Sequence, residues 1–561
     1  MDTSPHRLLS VPELVVLIAS FLSPCYVSQW MQTCRTVYRQ LEPTFWSHLN
    51  LTASYTDPSA LPRYRHHFRT LQLDWWHRED HLAALIEELP PTTSRQTNVI
   101  ELFNLKKLVL RCSNVYRIEE DEMDAFVKVL SYSHNLTELD ITANVLHHRP
   151  DLVDRFLEKI EQLPNLQRLA LHGSEVEAEV AHRFLQVCFR LPQLIDLQCH
   201  FIISGSHYPS MPDNGLCDPR FAILLKSLQD ADKKKSDAGE PRGLRLKSLK
   251  LPHICGGYPQ DFLFPFLRSH VPHLERLRLP FIHQEYDSQN FEDSILEGCL
   301  RLQHIRSDYF PGYGITKCGL SDVIRHCVPL GLKTFRAECP FGFYQRECQS
   351  VMQYILDHHA ATLEDFEFWG CFYNSSTDLH SVLARCRNLK RFCVCRTGEN
   401  GIEFKDALSS AWICHDLEQL NLLLGRDNNV PMRKTVNQQG KTVDAQIGGL
   451  VKLEELSLGC VRIGPIMKDS PVMKDLTLED GWLAELAGLK KLRHFCMLTN
   501  LWVWMGQAEV EFMVSNWPNL DKISLHMNEE MDGFDLDVFS KPHWRWLKEK
   551  RPHIALIIKE W

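Results

Sequence analysis

The chain has 561 residues, of which 44% are hydrophobic, and its 62 Lys and Arg against 71 Asp and Glu give a formal net charge of −9. A chain of this length usually divides into more than one core, so we expect more than one structural unit. The acidic balance predicts no binding to nucleic acid or to an anionic membrane, and the sequence lacks the run of roughly 18 apolar residues that a membrane span needs.

The first predicted elements are three short helices. Residues 10–13, Ser-Val-Pro-Glu, have the form of a capping box with a proline in the first turn, and apolar residues follow at helical spacing up to Leu22. A second stripe with the same spacing runs from Val27 to Leu41 and predicts a helix that ends at Glu42-Pro43, and a third short segment follows it. Such a small unit keeps apolar residues on more than one face, so we expect it to bind a partner.

Part of this segment has the residue types and the order of a known motif. The matching residues are Pro12, Leu14, Ile18, Leu22, Cys34 and Trp46. On these residues the segment 8–51 resembles an F-box, whose pattern begins with Pro-Glu and ends with a Trp-Leu pair; Val11 stands where that family favours Leu, and Tyr38 where a Trp is usual. The resemblance implies that the six matching residues bind a Skp-type linker protein, and through it a cullin.

After a predicted linker at residues 52–67, one hexamer pattern returns along the chain. The pattern is LxxLxL, with other apolar residues tolerated, and most of its fourteen copies are spaced close to the roughly 20 to 29 residues of a leucine-rich repeat. Each copy predicts a short strand, and a helix-period segment follows it, as in residues 151–163, DLVDRFLEKIEQL. The clearest copies begin at Leu105, Leu136, Leu166, Leu246, Leu274, Leu417 and Leu453.

One strand and one helix per repeat predict the α/β fold class. The expected architecture is a leucine-rich-repeat solenoid, with a curved parallel sheet and outer helices, preceded by a small all-α three-helix F-box. We assign residues 68–540 to the solenoid and 541–561 to a C-terminal cap. Two irregular stretches, near 203–243 and 425–449, interrupt the repeat period and predict loop insertions. The first has a charged segment after a short apolar helix, and the second is polar and has no apolar period.

The two parts together are similar to one family, the F-box proteins with leucine-rich repeats. This similarity implies a substrate-recognition adaptor of a Skp-cullin-F-box type ubiquitin ligase, in which the repeats bind the protein target. Two alternatives stay open. The helical segment would also suit a cap that closes the first repeat, and the whole chain would suit a leucine-rich-repeat scaffold or a small-GTPase regulator acting outside ubiquitin ligation.

A candidate target-binding surface follows from the repeat pattern. In LxxLxL the residue between the last two apolar positions faces outward, so these residues form a column from strand to strand. Four consecutive repeats place a basic residue there, and we call this set the basic ladder: Lys250, Arg278, Arg306 and Arg336. Adjacent like charges are unfavourable unless an anion binds them, so the ladder predicts an acidic or phosphorylated target segment. The alternative is neutralisation within the chain by Asp308, Glu338 and Glu367.

Several kinds of chemistry have no motif in this sequence. The 19 cysteines are scattered through apolar segments and form no CxxC pair, which predicts reduced, buried thiols without a zinc module. P-loop, GxSxG, HExxH and glycine-rich dinucleotide motifs are also missing. The sequence therefore predicts no enzymatic activity, no cofactor and no metal. Because the N-terminus lacks the features of a secretory leader, we expect a protein of the cytoplasm, the nucleus or both compartments.

Overall fold

In the computed structural model the described residues are 11–20, 22, 24–51, 65–74, 104–111, 120–142, 145–147, 150–204, 245–251, 253–254, 271, 273–279, 301–307, 331–338, 345–369, 376–394, 402–426, 442–462, 478, 482–497, 505–527 and 538–560. The chain divides into two compact units, unit 1 (Met1–Leu274) and unit 2 (Glu275–Trp561). None of the helices in these described parts is long and apolar enough to cross a membrane.

Unit 1 begins with three helices, which we call the helical unit: α1 (Pro12–Ser20), α2 (Pro24–Met31) and α3 (Arg35–Ser47). They enclose a small core whose buried members are Val15, Ala19, Val27, Met31, Val37 and Leu41. The predicted second helix is two helices here, because a local cap interrupts it. The backbone N–H of Val37 donates to Sγ of Cys34 (3.4 Å), and an acceptor just before α3 competes with a continuous helix.

The predicted helix end at Glu42-Pro43 is wrong, because α3 continues through Pro43 to Ser47. Proline removes one backbone hydrogen bond from a helix, so something must compensate for that loss. The compensation comes from packing of the last turn. Phe45 packs against the core of the helical unit, and the ring of Trp46 lies 6.4 Å from the ring of the buried Phe68.

The rest of unit 1 is a parallel sheet with helices between its strands, as the repeat pattern predicts. Its strands are β1 (His48–Leu51), β2 (Thr70–Asp74), β3 (Lys107–Arg111), β4 (Glu138–Thr142), β5 (Arg168–Glu177), β6 (Asp196–Ser204), β7 (Ser248–Lys250) and β8 (His253–Ile254). Its further helices are α4 (Glu120–Ser131), α5 (Pro150–Glu161) and α6 (Ala178–Arg190). Pairing aligns one leucine from each of six strands in the buried layer: Leu71, Leu108, Leu139, Leu169, Leu197 and Leu249.

Unit 2 repeats this architecture. Its strands are β9 (Arg276–Leu279), β10 (His304–Ser307), β11 (Thr334–Glu338), β12 (Asp365–Trp369), β13 (Arg391–Val394), β14 (Ile402–Glu403), β15 (Gln419–Arg426), β16 (Glu455–Arg462), β17 (His494–Met497), β18 (Lys522–Met527) and β19 (Ala555–Glu560). Its helices are α7 (Gln345–His358), α8 (Ser376–Arg385), α9 (Phe404–Ala407), α10 (Val443–Gly448), α11 (Trp482–Glu485), α12 (Gln507–Asn516) and α13 (Pro542–Lys550). Each unit therefore has the α/β architecture of a leucine-rich-repeat solenoid.

Phenylalanine replaces leucine in part of the buried layer of unit 2. The ring of Phe366 lies 5.7 Å from that of Phe335 and 5.6 Å from that of Phe392, and the three residues are aligned on neighbouring strands. All three side chains are fully buried. The weaker sequence copies that carry Phe at this position, as in β11, β12 and β13, are thus true repeats, because a stack of rings fills the space that leucines fill elsewhere.

Three predicted boundaries differ from the structure. The segment assigned to the end of the F-box contains β1, which pairs with β2, so the sheet starts before residue 52. The insertion predicted near 425–449 ends early, because Thr442 caps α10 by accepting the N–H of Ala445 (3.2 Å). The predicted C-terminal cap holds both α13 and β19, and β19 pairs with β18 as a further repeat. Residues 205–243 of the other predicted insertion lie outside the described residues.

Turn residues that the repeat pattern left unassigned connect neighbouring repeats. The side-chain amide of Asn388 donates to the carbonyl oxygen of Ala361 (2.6 Å), and that of Asn519 donates to the carbonyl oxygen of Lys490 (2.9 Å). Each asparagine stands directly before the first leucine of its own repeat and reaches the preceding one. These bonds satisfy backbone oxygens at turns that no strand pairing covers.

Candidate functional site

The first candidate surface is an exposed apolar face on α1. Leu14, Leu17 and Ile18 lie three and four residues apart, so they share one side of the helix, and they are 37%, 54% and 45% exposed. The opposite side carries Val15 and Ala19, which are buried in the core of the helical unit. Further exposed apolar side chains are close to this helix in sequence. Val11 precedes it, and Leu22 and Tyr26 follow it. We call these six residues the α1 face.

The α1 face contains three of the six residues that the sequence assigned to linker-protein binding, Leu14, Ile18 and Leu22, and Pro12 is exposed beside them. It also contains Val11, Leu17 and Tyr26, which the motif comparison missed. The available signal was that α1 is apolar all round, whereas a helix that only covers a core needs one apolar stripe.

Cys34 and Trp46, the other two predicted residues, lie in different surroundings. Cys34 packs against the core of the helical unit and caps α3. Trp46 lies against two rings, Phe45 at 5.4 Å and Phe68 at 6.4 Å. Because Phe68 stands two residues before β2, the tryptophan joins the helical unit to the repeats. Both side chains are partly buried within the chain, so neither belongs to the α1 face.

The helical unit is attached to the sheet by main-chain contacts as well. Strand β1 starts at the residue after α3 and pairs in parallel with β2. The backbone N–H of Arg69 donates to the carbonyl oxygen of Ser47 at 2.9 Å. The helical unit thus closes the first described strands of unit 1, in agreement with the cap alternative, while the α1 face stays exposed. Different residues carry these two roles.

The second candidate surface is the column formed by the residue between the last two apolar positions of each LxxLxL copy. Strand pairing aligns these residues in the predicted register. In unit 1 the paired strands align Val109, Asp140, Ala170, Gln198 and Lys250. In unit 2 they align Arg278, Arg306, Arg336, Glu367, Cys393, Asn421, Ser457, Cys496 and Ser524. The four residues of the basic ladder nevertheless have different surroundings.

Lys250 is not part of an exposed ladder, since only 6% of it is exposed. Its Nζ lies 2.6 Å from Nδ1 of His200, whose ring stacks on that of His172 at 3.9 Å. Nε2 of His172 in turn lies 3.5 Å from a carboxylate oxygen of Asp140. The physical reason is local: the imidazole of His200 on the neighbouring strand holds the lysine ammonium against a ring nitrogen, and His172 on the strand beyond stacks on that imidazole. The prediction that Lys250 is an exposed member of the target-binding ladder is therefore corrected.

Arg336 is neutralised within the chain. Its guanidinium contacts Oδ2 of Asp365 at 2.6 Å and Oε2 of Glu367 at 3.3 Å. Burial disfavours the charge of Arg336, but the hydrogen bond and the charges of these two carboxylates outweigh burial and raise its pKa. Of the two predicted outcomes, anion binding and neutralisation within the chain, the structure shows neutralisation for this arginine. Glu367 was among the predicted acids, and Asp365 contributes as well. Asp308 lies outside the described residues.

The remaining ladder residues, Arg278 and Arg306, lie near a further arginine at the start of unit 2. We call Arg276, Arg278 and Arg306 the basic patch. Arg278 is aligned with Arg306, and Arg276 is aligned with His304. Burial lowers the pKa of His304, and the charges of Arg276 and Lys333 lower it further, more than nearby carboxylates raise it. This imidazole thus lies among more positive than negative charge.

The described cysteines are packing residues, as predicted. All of them except Cys34 are buried, and burial raises the pKa of Cys386, Cys393 and Cys414 to about 12. Within the same parts of the chain, no group of three or more His, Cys, Asp or Glu side chains is arranged to hold a metal ion.

Comparisons with known proteins address the fold alone. No protein-family model matches the sequence, and no curated protein matches it either. Among solved structures, an internalin (InlF) from Listeria monocytogenes is 11% identical with a TM-score of 0.26, and the match covers 82% of each chain. The leucine-rich repeat-containing protein LegL7 from Legionella pneumophila is 10% identical with a TM-score of 0.20, covering 85% of this chain and 90% of that one. TLR13, in a complex with ssRNA13, is 12% identical with a TM-score of 0.25, covering 88% of this chain and 62% of that one.

Proposed function

We propose that this chain is the substrate-recognition adaptor of a Skp-cullin-F-box type ubiquitin ligase. In this proposal the helical unit is an F-box that docks on a Skp-type linker protein through the α1 face, and the repeats bind the protein to be ubiquitinated. The observation that carries the proposal is the two-sided α1 helix. It buries Val15 and Ala19 in a folded core and still exposes Leu14, Leu17 and Ile18.

Exposed apolar side chains that share one helix face are typical of protein-binding surfaces. Burying a leucine or isoleucine fully stabilises a complex by about 1.5 to 3 kcal/mol relative to leaving it in water. Three such residues on one helix thus provide a compact anchor for a partner with an apolar groove. The F-box-like order of residues around α1 names the kind of partner, a Skp-type linker.

The test is capture of a purified Skp-type linker by the full chain and by the double variant Leu14→Asp/Ile18→Asp. We expect capture to weaken by about 100-fold or more, because each carboxylate buried without a partner costs several kcal/mol. The fold should survive, since both side chains are on the exposed side of α1.

The matched control is Val451→Asp, which places the same charge on an exposed apolar residue of unit 2. It should capture the linker like the wild type. If the double variant also captures the linker normally while its circular dichroism is unchanged, the adaptor proposal is wrong.

The second candidate function is a leucine-rich-repeat scaffold outside ubiquitin ligation, with the helical unit as an end cap. The packing of Trp46 on Phe68 favours it, because closing the first repeat is what a cap does. Trp46→Ala tests this role separately. In a pure scaffold this variant lowers the stability of unit 1, and the α1 variants change neither stability nor target binding.

A further inference from the structure

We propose that Tyr26 determines the specificity of the α1 face: docking buries its ring against the linker, and its hydroxyl donates a hydrogen bond to an acceptor oxygen of the linker. The inference rests on the proposed function, because it names the chemistry of the partner at the same surface. It adds one requirement to that function. The partner must present an oxygen atom beside its apolar groove, and a groove without one is rejected.

The first step is the position of the Tyr26 ring. The helical unit has four other described aromatic side chains, and each of them packs within the chain. Three pack against the core of the helical unit, and the fourth lies against a ring of that set: Trp30, Tyr38 and Phe45, and then Trp46 on Phe45. Tyr26 is instead 62% exposed, more than Leu14, Leu17 or Ile18. A ring that gains so much from burial and is left in water beside exposed apolar residues is suited to contact with a partner.

The second step is the orientation of α2, which carries the ring. Val27 and Met31 of α2 lie one turn apart and are buried in the same core as Val15 and Ala19 of α1. The two helices thus turn their buried sides to one core, and Tyr26 projects from the exposed side of α2. These core contacts hold the backbone that carries the ring, so docking has less chain entropy to remove at this residue.

The third step is the hydroxyl group of Tyr26. It makes no hydrogen bond to the part of the chain that the structure describes. A phenol oxygen shares electron density with its ring, so the hydroxyl donates better than it accepts. Buried tyrosine hydroxyls usually have a hydrogen-bond partner, since an unpaired polar group costs free energy. Burial of Tyr26 therefore requires an acceptor on the partner, which is a backbone carbonyl or a carboxylate oxygen.

The fourth step is the scarcity of charge on the two helices. The sequences of α1 and α2 contain one charged residue, Glu13. Apolar contacts are non-directional, so Leu14, Leu17 and Ile18 attract any apolar groove of suitable size. A buried hydrogen bond is selective, because a surface that cannot pair with the hydroxyl leaves it unsatisfied. Tyr26 therefore distinguishes the linker from other apolar grooves.

The experiment measures the affinity of a purified Skp-type linker for the full chain by calorimetry. Tyr26→Phe removes only the hydroxyl and should weaken binding about tenfold, because the acceptor on the linker stays unpaired. Tyr26→Ala also removes the ring and should weaken binding by roughly a further tenfold or more. Both variants should keep the circular dichroism of the wild type, since the side chain is exposed.

One control and one further replacement sharpen the test. Tyr354→Phe removes the same group from a partly exposed tyrosine of unit 2 and should bind the linker like the wild type. Replacement of Tyr26 by O-methyltyrosine keeps the oxygen as an acceptor and removes the donated hydrogen. It should lose at least as much affinity as Tyr26→Phe does.

Three outcomes would overturn the inference: wild-type affinity of Tyr26→Phe, an equal loss in Tyr354→Phe, or wild-type affinity of the O-methyltyrosine variant. Failure here is separable from failure of the adaptor function. If Leu14→Asp/Ile18→Asp loses the linker and Tyr26→Phe does not, the adaptor function stands and the role of Tyr26 is wrong. If the wild type captures no linker, both are wrong.

Discussion

Units 1 and 2 use the same backbone pattern but arrange charge on the outward face differently. In unit 1, one column alternates in sign: Lys107 contacts Glu138 at 2.9 Å, Glu138 lies 3.7 Å from Arg168, and Arg168 contacts Asp196 at 3.3 Å. The same column of unit 2 begins with Arg276 beside His304, next to two further arginines. The first column consists of ion pairs between neighbouring strands, whereas the second places an arginine beside an imidazole. The difference teaches that one repeat pattern accommodates both a column of opposite charges and a column in which basic residues are neighbours.

The buried layers differ too, and the largest expected effect concerns them. Phe366→Ala should lower the free energy of unfolding of unit 2 by about 3 to 5 kcal/mol. Its loss should exceed that of Leu139→Ala at the corresponding position of unit 1, because Phe366 also loses its ring contacts with Phe335 and Phe392. Urea unfolding measures both. Phe366→Leu should recover part of the loss, and an equal or smaller loss for Phe366→Ala than for Leu139→Ala would contradict the role of the ring stack.

A buried histidine should make unit 2 sensitive to acid. Burial lowers the pKa of His359 from 6.5 to about 4, with a smaller effect of His358, and Nδ1 of His359 accepts the backbone N–H of Leu332 at 3.4 Å. Below pH 6.5 the unfolded chain binds a proton at this imidazole and the folded chain does not. The contribution of neutral His359 to the free energy of unfolding is therefore complete above pH 6.5 and is lost as the pH falls toward 4. Between pH 7 and pH 5 this difference amounts to about 2 kcal/mol.

The measurement is urea unfolding at both pH values for the wild type and for His359→Gln. The variant should lose this part of the pH dependence, because glutamine does not titrate. His415→Gln makes the same change at an exposed histidine and serves as the control. If His359→Gln and the wild type keep the same pH dependence, the assignment to His359 is wrong.

The smallest expected effect tests the charge comparison directly. Glu138→Lys would place three like charges in the alternating column of unit 1 and should destabilise it by about 0.5 to 1 kcal/mol, as partly exposed pairs contribute little each. Arg276→Glu removes one like charge from the basic patch and should leave stability unchanged or slightly raised. Thermal unfolding at low salt decides the signs. A loss of stability in both variants would mean that the two columns are balanced alike.

The sequence predicted the column register because alternation along a strand has a fixed period of two. It could not predict which ladder members are exposed. The burial of Lys250 depends on His200, fifty residues away in sequence, and the neutrality of Arg336 depends on Asp365 on the next strand. Helical spacing likewise identified the apolar residues of α1, but a helix that is apolar all round does not reveal which side faces the core. That choice is made by α2 and α3, whose buried side chains pack against Val15 and Ala19.

The junction between α3 and β1 bears on where the chain can be cut. A fragment that starts at residue 52 would lack β1, so the backbone of residues 70–74 would become an open sheet edge, and Phe68 would lose its contact with Trp46. Open edges with fresh apolar surface pair with other chains, so such a fragment should aggregate. Loss of the first 51 residues would then remove the α1 face and expose the first paired strand of the repeats in one event.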